Sequence, residues 1–272
     1  MIEIDKIYNE DCLEGMKRID DASIDCIICD LPYGTTKNKW DSVIPLDKLW
    51  EQYRRIAKPE AAIILFGQQP FTTQLIMSNP DWFRYEWIWE KEMGSGFLNA
   101  NYAPLKSHEN ILVFSSLAAC FVKNADNAMT YNPQKTDGKP YTCKQGKMEN
   151  NYDTKNMVAA IETKNDGKRY PKTVLRYNRD KDKLHPTQKP VELIRYLIRT
   201  YSNPGDVILD NTIGSGTTAV AAIKEHRHYV GFELSKEYFD IAQNRIAEVL
   251  AQPTLDFDNI EPTNPTTQQK ED

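Results

Sequence analysis

The chain's 272 residues, 40% of them hydrophobic, are enough to bury a sizeable core in one large domain or in a domain with an insertion. A formal net charge of −5 excludes a uniformly basic nucleic-acid binder but leaves room for a local basic face. The first residues carry acids without the apolar stretch of a signal peptide, and no run approaches the roughly 18 apolar residues of a membrane span. We therefore expect a soluble, cytoplasmic protein.

The first region, residues 1–116, alternates buried strands with amphipathic helices. Its apolar runs are bounded by turn residues, and its second helix opens at Pro70, which suits the first turn of a helix. Such alternation is typical of an α/β sheet that carries helices on its faces. The predicted elements, in chain order, are strand 24–30, helix 46–59, strand 61–67, helix 70–79, and strands 83–91 and 109–115.

The middle region, 117–183, is rich in Asn, Lys, Asp and Tyr and has little periodicity, so we predict an insertion. Residues 131–185 contain 13 Lys and Arg against 7 Asp and Glu, an excess of six positive charges. Charge alone supports a solvated loop and a polyanion-binding surface about equally. The basic side chains best suited to contact phosphates or base edges are Arg169, Lys172, Arg176 and Arg179.

The third region, 184–250, returns to α/β patterning. The tail, 251–272, combines Pro, Thr, Asn and acids with little apolar content, and we predict that it is disordered. The predicted elements of the third region are helix 189–202, strand 207–210, helix 216–226, strand 228–234 and helix 235–250.

The chain has five cysteines, and two of them, Cys26 and Cys29, form a C-x-x-C pair. Side chains three residues apart in a strand point to opposite faces, and no second pair stands at zinc-like spacing. We therefore predict core thiols here and no metal site. His185, one of four histidines, has no companion ligands and is interpreted as a structural loop residue.

A nucleotide-binding loop is predicted in "VILDNTIGSGTTAVAA", where a strand leads through glycines into a helix. Gly214 and Gly216 would let a ligand approach the backbone, and the helix N-terminus would attract an anion. Glu233, about 20 residues farther on at the end of the next strand, would accept hydrogen bonds from a ribose. The alternative is that the small residues only let the helix pack close to the sheet.

The identity of the nucleotide follows from what this loop lacks. It matches neither G-x-x-x-x-G-K-[ST] nor G-x-G-x-x-G, which disfavours a P-loop and weakens the case for a dinucleotide. A short loop led by Asp210 suits a ligand with a ribose, an adenine and an amino-acid ammonium but no pyrophosphate. S-adenosylmethionine has this composition, and it is the cofactor that we predict.

The segment "CDLPYG" places Asp30 at the carboxyl end of a buried strand, where open α/β sheets bind their ligands. A plain turn capped by Asp30 would also account for Pro32, but a turn tip seldom needs an aromatic such as Tyr33. The carboxylate of Asp30 would accept one N–H of a planar amine while a neighbouring main-chain carbonyl accepts the other. The nitrogen lone pair would then turn toward an electrophile, and Tyr33 would stack on a base that has left its duplex.

Four segments together resemble the motifs of amino-directed DNA methyltransferases, which methylate N6 of adenine or N4 of cytosine. "DLPYG" resembles the catalytic D-P-P-Y motif, and "LDNTIGSGTTAVAA" resembles the cofactor loop D-P-F-x-G-S-G-T-T. "HPTQKPVELI" resembles the motif that precedes this loop, and residues 9–34 resemble the N-terminal block of the family. The catalytic motif comes first, as in the β-type order, and the resemblance covers roughly 9–115 and 184–245.

The resemblance implies an α/β fold with a doubly wound, Rossmann-like methyltransferase sheet. Its catalytic half would be 1–116 and its S-adenosylmethionine-binding half 184–250, with a target-recognition insertion at 117–183. Double-stranded DNA is the implied partner, in a bacterial or phage-encoded system. A second copy of the chain and a cognate restriction endonuclease stay open as further partners.

The resemblance also implies roles for individual residues. In the family the carboxylate and a carbonyl of the catalytic motif hold the amine, and the acid before the first helix meets the adenine of the cofactor. The implied catalytic residues are Asp30, Leu31, Pro32 and Tyr33. The implied cofactor-binding residues are Asp11, Cys12, Asp30, Lys189, Asp210, Asn211, Thr212, Gly214, Ser215, Gly216, Thr217, Glu233 and Leu234.

The chain departs from the family pattern in two places. Leu31 replaces the first proline of the catalytic motif, and because a main-chain carbonyl is the expected contact, we expect activity to be kept and the side chain to matter little. Asn211 and Thr212 replace Pro and Phe, so the aromatic that flanks the adenine in the family is absent. Ile213 is expected to fill part of that space.

The main prediction is methylation of adenine N6 in DNA, with cytosine N4 as the alternative. RNA or a protein amide would suit the same tetrapeptide, although the basic middle region favours a polyanion. A DNA-binding repressor on an inactive scaffold is disfavoured by the intact Asp30 and Tyr33. A nicotinamide dehydrogenase is disfavoured by the loop pattern.

Overall fold

The computed structural model of the chain describes residues 2–34, 43–117, 128–144, 162–180 and 188–251. His185 and nearly all of the tail predicted to be disordered lie outside these ranges. Within them the strands are β1 Lys6–Tyr8, β2 Ile24–Cys29, β3 Ala57–Gly67, β4 Phe83–Ser95, β5 Lys106–Phe114, β6 Thr136–Asp137, β7 Tyr141–Lys144, β8 Glu162–Asn165, β9 Lys168–Arg169, β10 Val174–Arg176, β11 Val207–Asp210 and β12 His228–Phe232. The helices are α1 Cys12–Met16, α2 Leu46–Ile56, α3 Phe71–Ser78, α4 Val191–Tyr201, α5 Thr217–Lys224 and α6 Lys236–Ala251.

One mixed sheet organises the molecule, with the strand order β1-β12-β11-β2-β3-β5-β4-β10. Every neighbouring pair is parallel except those made by β5, which runs antiparallel to β3 and β4. From β11 the chain continues outward to β12, whereas from β2 it continues to β3 on the other side. The gap between β11 and β2 is therefore the point where the winding reverses, and the doubly wound α/β prediction is confirmed.

The two faces of the sheet are covered by separate hydrophobic clusters, as alternation along β2 requires. Cys26 and Ile28 belong to the cluster that includes α4 and α5, whereas Ile27 and Cys29 belong to the cluster that includes α2. Both cysteines are at most 1% exposed. The prediction that they are core thiols on opposite faces is confirmed.

The predicted boundary between α2 and β3 differs from the observed one. The helix ends at Ile56, three residues before the predicted end, and Ala57 already has extended geometry (φ −72°, ψ 136°). Pro59 disfavours the helical region at Lys58, so β3 begins here. Ile24 of β2 pairs with Ala57, which extends the parallel ladder to this end of the sheet.

Two parts of the middle region belong to the main sheet and its core. Strand β10 lies parallel to β4 at the end of the sheet, and the side chains of Met129 and Leu175 are buried in the α4 cluster. The remaining described strands form two small antiparallel pairs, β6 with β9 and β7 with β8. The segment 117–183 is therefore anchored in the sheet by its described ends, and its role in target recognition stays a proposal.

Candidate active site

The carboxyl ends of β2, β11 and β12 meet at a cavity of about 380 Å³. Its wall includes Asp30 after β2, Asp210 at the end of β11 and Glu233 after β12. This edge of the sheet, at the reversal between β11 and β2, is where open α/β folds bind ligands. Three carboxylates from three distant parts of the chain therefore face one cavity.

The cavity is lined by almost every residue of the predicted catalytic and cofactor-binding sets. All four residues of the catalytic set line it, and so does the cofactor-binding set with the exception of Gly216. The lining residues from the two sets are Asp11, Cys12, Asp30, Leu31, Pro32, Tyr33, Lys189, Asp210, Asn211, Thr212, Gly214, Ser215, Thr217, Glu233 and Leu234.

Gly216 is not among the residues that line the cavity, and its predicted contact with a cofactor stays a prediction. It caps the start of α5 with φ +82°, a region that favours glycine. A Cβ at this position would lie 2.9 Å from the Cβ of Ala242 on α6. The glycine is therefore needed for helix packing, which was the alternative interpretation for this position.

Asp30 accepts bonds on both of its carboxylate oxygens. The hydroxyl of Tyr33 donates to Oδ1 at 2.7 Å, and the ammonium of Lys189 forms an ion pair with Oδ2. Burial raises the pKa of the Asp30 carboxyl, while the nearby Lys189 ammonium opposes that shift. Each carboxylate oxygen of Asp30 therefore already has a donor within the protein.

The side chain of Leu31 is part of the hydrophobic core. It is 3% exposed and packs in the cluster that covers the α2 face of the sheet. Burying a leucine side chain contributes roughly 1.5–3 kcal/mol to stability. The buried side chain therefore contributes to the fold, while the expectation that activity needs only the main-chain carbonyl stays a prediction.

Four side chains of alternating charge contact one another in the order Asp30, Lys189, Glu109 and Lys91. The Lys189 ammonium lies between Asp30 and Glu109, at 3.4 Å from the Oε2 atom of Glu109, and Lys91 forms an ion pair with the Oε1 atom of Glu109. Burial alone would lower the pKa of Lys189, but the two carboxylates together hold it above its ordinary value. Burial would likewise raise the pKa of Glu109, but Lys189 and Lys91 hold this pKa below its ordinary value.

The loop after β11 is held by its own polar groups. The hydroxyl of Thr218 donates to Asp210 Oδ2 at 2.6 Å, and the amide N–H of Thr212 donates to Oδ1 at 3.1 Å. Burial raises the pKa of Asp210 to about 7. Asn211 is 1% exposed, and its Oδ1 atom accepts a hydrogen bond from the hydroxyl of Tyr53 at 2.5 Å. These bonds hold the Asp210 carboxylate in the cavity wall.

The loop after β11 is bonded directly to the catalytic segment at the end of β2. The hydroxyl of Thr212 lies 3.0 Å from the main-chain oxygen of Asp30 and 2.9 Å from the Sγ atom of Cys29. Ile213 is 5% exposed, lies against Gly231 and belongs to the same hydrophobic cluster as Ile7. Thr212 thus braces the end of β2 where the family has an aromatic, and Ile213 fills core space next to the cavity.

Two further carboxylates are partly used by the protein itself. Glu233 accepts hydrogen bonds from the amide N–H groups of Gly214 at 2.9 Å and Ser235 at 2.7 Å. Asp11 caps α1 by accepting from the amide N–H groups of Leu13 at 2.9 Å and Glu14 at 3.2 Å. In Asp11 the Oδ1 atom makes both bonds, so its other oxygen is the one suited to a ligand.

The comparisons with known proteins agree with this geometry. The family model for N6/N4 methyltransferases, described as DNA methylase, matches residues 24–244. The chain belongs to this DNA methylase family. S-adenosylmethionine is the methyl donor of the family.

Relatives and solved structures are similar over most of the methylase. The Type II methyltransferase M.BglII of Bacillus subtilis is 29% identical over 260 residues, which is 88% of this chain and 68% of that protein. The M1.HpyAVI–SAM complex has a TM-score of 0.57 at 22% identity and covers 89% of this chain and 98% of its own. The cytosine-N4-specific PvuII DNA methyltransferase has a TM-score of 0.63 at 15% identity and covers 90% of each chain. The two solved structures share the fold.

Several residues of the methylase cavity were not predicted from the sequence. Glu109 from β5 and Phe66 and Gln68 from the end of β3 all line it. Phe66 and Gln68 follow the same rule as Asp30, because they stand at the carboxyl end of a parallel strand. Glu109 stands near the start of β5, and because β5 is antiparallel, that end lies at the cavity edge.

The basic residues predicted to contact DNA do not line the cavity and differ in their surroundings. The guanidinium of Arg169 bonds to Asn165 and to the carbonyl of Lys139, and it lies 4.8 Å from the ring of Tyr141. Arg176 forms an ion pair with Glu90 of β4 at 2.7 Å. Of the other two, Lys172 is exposed and Arg179 is partly exposed.

Trp87 and Trp89, which are 3% and 2% exposed, pack in the core of the sheet. In the part of the chain that the structure describes, no cluster of three or more His, Cys, Asp or Glu side chains could hold a metal ion. Across the same ranges, no helix combines the length and the apolar character needed to cross a bilayer.

Proposed function

We propose that this DNA methylase transfers a methyl group from S-adenosylmethionine to the exocyclic N6 of a flipped-out adenine in double-stranded DNA. The observation that carries the proposal is the bond between the two loops. The Asp30 carboxylate and the loop at 210–217 face one cavity, and the Thr212 hydroxyl ties them together at 3.0 Å. An amine held by Asp30 would therefore lie next to a cofactor held by that loop.

The residues of the cavity suit S-adenosylmethionine, which supplies an electrophilic methyl group when bound. Glu233 would hold the ribose and Asp11 the adenine, because each keeps carboxylate lone pairs that the protein does not use. Asp210, Ser215 and the open end of α5 would surround the amino-acid end. The buried Asp210, whose pKa is raised to about 7, gains a partner when an ammonium lies beside it.

The catalytic segment would hold the amine of the target base. Asp30 would accept one amine N–H and the main-chain carbonyl of Leu31 the other, so that the nitrogen lone pair points toward the cofactor loop. After transfer the nitrogen carries a positive charge, which the Asp30 carboxylate stabilises until a proton is lost to it or to solvent. Tyr33 would offer a stacking face, and its hydroxyl holds Asp30 in position.

The described parts of the middle region would recognise DNA. We propose that Lys172 and Arg179 contact phosphates, because neither side chain is buried. Arg169 would shape the β6–β9 pair and Arg176 would stay paired with Glu90 until DNA competes for it. The similarity to a Type II methyltransferase favours a role beside a cognate restriction endonuclease.

One experiment tests both the reaction and the base. The protein is incubated with methyl-labelled S-adenosylmethionine and unmethylated duplex DNA, and the digested nucleosides are separated. We expect label in N6-methyldeoxyadenosine and no label when Asp30→Ala replaces the wild type. Label in N4-methyldeoxycytidine alone would assign the alternative base, as in the fold relative that is cytosine-N4-specific. Absence of label in DNA, with label in a parallel incubation that contains RNA instead, would overturn DNA as the substrate.

A further inference from the structure

Glu109 lines the cavity but belongs to none of the sequence motifs and has no part in the proposed reaction. We propose that Glu109 is a positioning residue that takes the Lys189 ammonium from Asp30 when the target amine binds. The exchange would free the Oδ2 atom of Asp30 to accept the amine N–H. This inference rests on the proposed role of Asp30 as the amine-binding carboxylate.

Without a substrate, Lys189 is bound to the carboxylate that would accept the amine, Asp30. Its ammonium forms the ion pair with Asp30 Oδ2, while the Tyr33 hydroxyl holds Oδ1. A neutral base amine makes a weaker hydrogen bond to a carboxylate than an ammonium does. The amine can therefore compete for Oδ2 only if Lys189 has another anion within reach.

Glu109 is that anion, and its Oε2 atom can accept a hydrogen bond from Lys189. The Oε2 atom is buried and has no hydrogen-bond partner among the described residues. The Lys189 nitrogen lies 3.4 Å from it, which is close enough for an ion pair but longer than a well-formed N–H···O bond. A shift of a few tenths of an ångström toward Glu109 would complete the bond that this oxygen lacks.

Glu109 is itself held in place, so the ammonium would move and the carboxylate would stay. Lys91 binds the Oε1 atom, and the side chains of Lys91 and Glu109 are 7% and 11% exposed. On the backbone, Glu109 pairs with Trp89 of β4, and the next residue pairs with Gly67 at the end of β3. Glu109 is therefore fixed to the rigid centre of the sheet at the cavity edge.

The exchange keeps the charges of the buried group balanced. Asp30 and Glu109 carry one negative charge each, and Lys189 and Lys91 carry one positive charge each. The Lys189 ammonium also lies 5.0 Å from the ring of Phe66, which gives it an attractive surface in both positions. Without Glu109, moving Lys189 would leave a buried cation unpaired, which is strongly unfavourable.

The test measures the transfer step separately from cofactor binding. Glu109→Gln keeps the shape of the side chain but removes the charge that would receive Lys189. We expect the single-turnover rate of methyl transfer to unmethylated duplex DNA to fall about 10- to 100-fold, the range for losing one charge-assisted hydrogen bond. The dissociation constant for S-adenosylmethionine, measured by calorimetry, should stay within about twofold of the wild-type value. If Glu109 served cofactor binding instead, this constant would change and the transfer rate would not.

Two further variants distinguish positioning from mere stability. Glu109→Asp keeps the charge and should recover part of the rate that Glu109→Gln loses. Glu225→Gln is the matched control, because Glu225 is equally buried, pairs with Arg195 at 2.6 Å and Arg199 at 2.5 Å, and lies outside the cavity. It should lower the Tm but leave the single-turnover rate of the folded protein unchanged.

The outcomes separate this inference from the proposed function. A Glu109→Gln rate within twofold of the wild type, or an equal loss in Glu225→Gln at matched folded concentration, would overturn the role of Glu109 and leave that of Asp30 intact. An Asp30→Ala protein that still methylates DNA would instead overturn the proposed function itself.

Discussion

The hydroxyl of Thr212 donates a hydrogen bond of 3.0 Å to the main-chain oxygen of Asp30. The bond joins two loops that are 182 residues apart in the chain and brings the proposed amine and cofactor sites together. A brace of this kind fixes geometry that the transfer of a methyl group depends on. Thr212 therefore holds the site together at a position where the family pattern has an aromatic.

Thr212→Val should weaken both the fold and the reaction. Valine keeps the branched shape but removes the donor, so the partly buried oxygen of Asp30 loses its partner. We expect the free energy of unfolding to fall by about 1–3 kcal/mol and kcat to fall on the order of tenfold. Denaturant unfolding and a methyl-transfer assay measure the two effects.

The matched control for this change is Thr73→Val. The hydroxyl of Thr73 also donates a side-chain hydrogen bond, to Gln69 at 2.8 Å, but Thr73 is exposed on α3. Its substitution should change stability by less than about 0.5 kcal/mol. Equal effects of the two substitutions would show that the bond to Asp30 contributes no more to stability or activity than an exposed hydrogen bond does.

Asp30→Ala should abolish methyl transfer while sparing cofactor binding. The substitution removes the acceptor for the amine and the group that stabilises the positive charge after transfer. We expect kcat to fall by at least about 10²-fold, the usual weight of a positioned acid–base group. Calorimetry should show that S-adenosylmethionine still binds, because Glu233 and the loop at 210–217 are unchanged. Full activity in this variant would contradict the amine-binding role.

Leu31→Ala should separate the two roles of Leu31. Its side chain is 3% exposed, so truncation leaves a cavity and should cost about 2–5 kcal/mol of unfolding free energy. The carbonyl proposed to accept the amine is retained, so the activity per folded molecule should stay close to the wild-type value. Leu98→Ala is the control, since Leu98 is 99% exposed and should tolerate truncation. A loss of specific activity in fully folded Leu31→Ala would show that the side chain also shapes the site.

The three carboxylates that the sequence predicted at one edge of the sheet share a local signal. Asp30, Asp210 and Glu233 each stand where an apolar run ends, and the end of a parallel strand is visible in sequence from that run alone. Their meeting in one cavity follows from the parallel order of β2, β11 and β12. The position of the cavity and the carboxylates in its wall could therefore be predicted from the sequence.

Glu109 and Gly216 had no comparable signal. Glu109 reaches the cavity only because β5 is antiparallel and in register with Trp89, and the direction of a single strand cannot be read from its residues. The close approach of Gly216 to Ala242 on α6 joins residues 26 apart in the chain and could not be read from the loop pattern. β10 has only three residues, too few for periodicity, so its place beside β4 depends on tertiary pairing.

Asp210 should make stability depend on pH in a particular direction. Burial raises its pKa from the ordinary value of 3.8 to about 7, so the folded protein binds this proton more tightly than the unfolded chain. The stabilising contribution is complete below about pH 4 and is lost as the pH rises through about 7. The Tm of the wild type minus that of Asp210→Asn should therefore be larger at pH 5 than at pH 8. A difference that stays constant between these pH values would contradict a raised pKa at Asp210.

Lys172→Ala and Arg169→Ala should affect different properties of the protein. Lys172 is exposed and is proposed to contact a phosphate, so its loss should weaken DNA binding uniformly across sequences and reduce the slope of log K against log salt by about 1. Arg169 bonds to Asn165 and to the carbonyl of Lys139, so its loss should destabilise the β6–β9 pair first. Fluorescence titrations of duplex DNA at several salt concentrations, together with Tm measurements, compare the two variants. If Lys172→Ala leaves the salt slope unchanged, then Lys172 does not contact a phosphate.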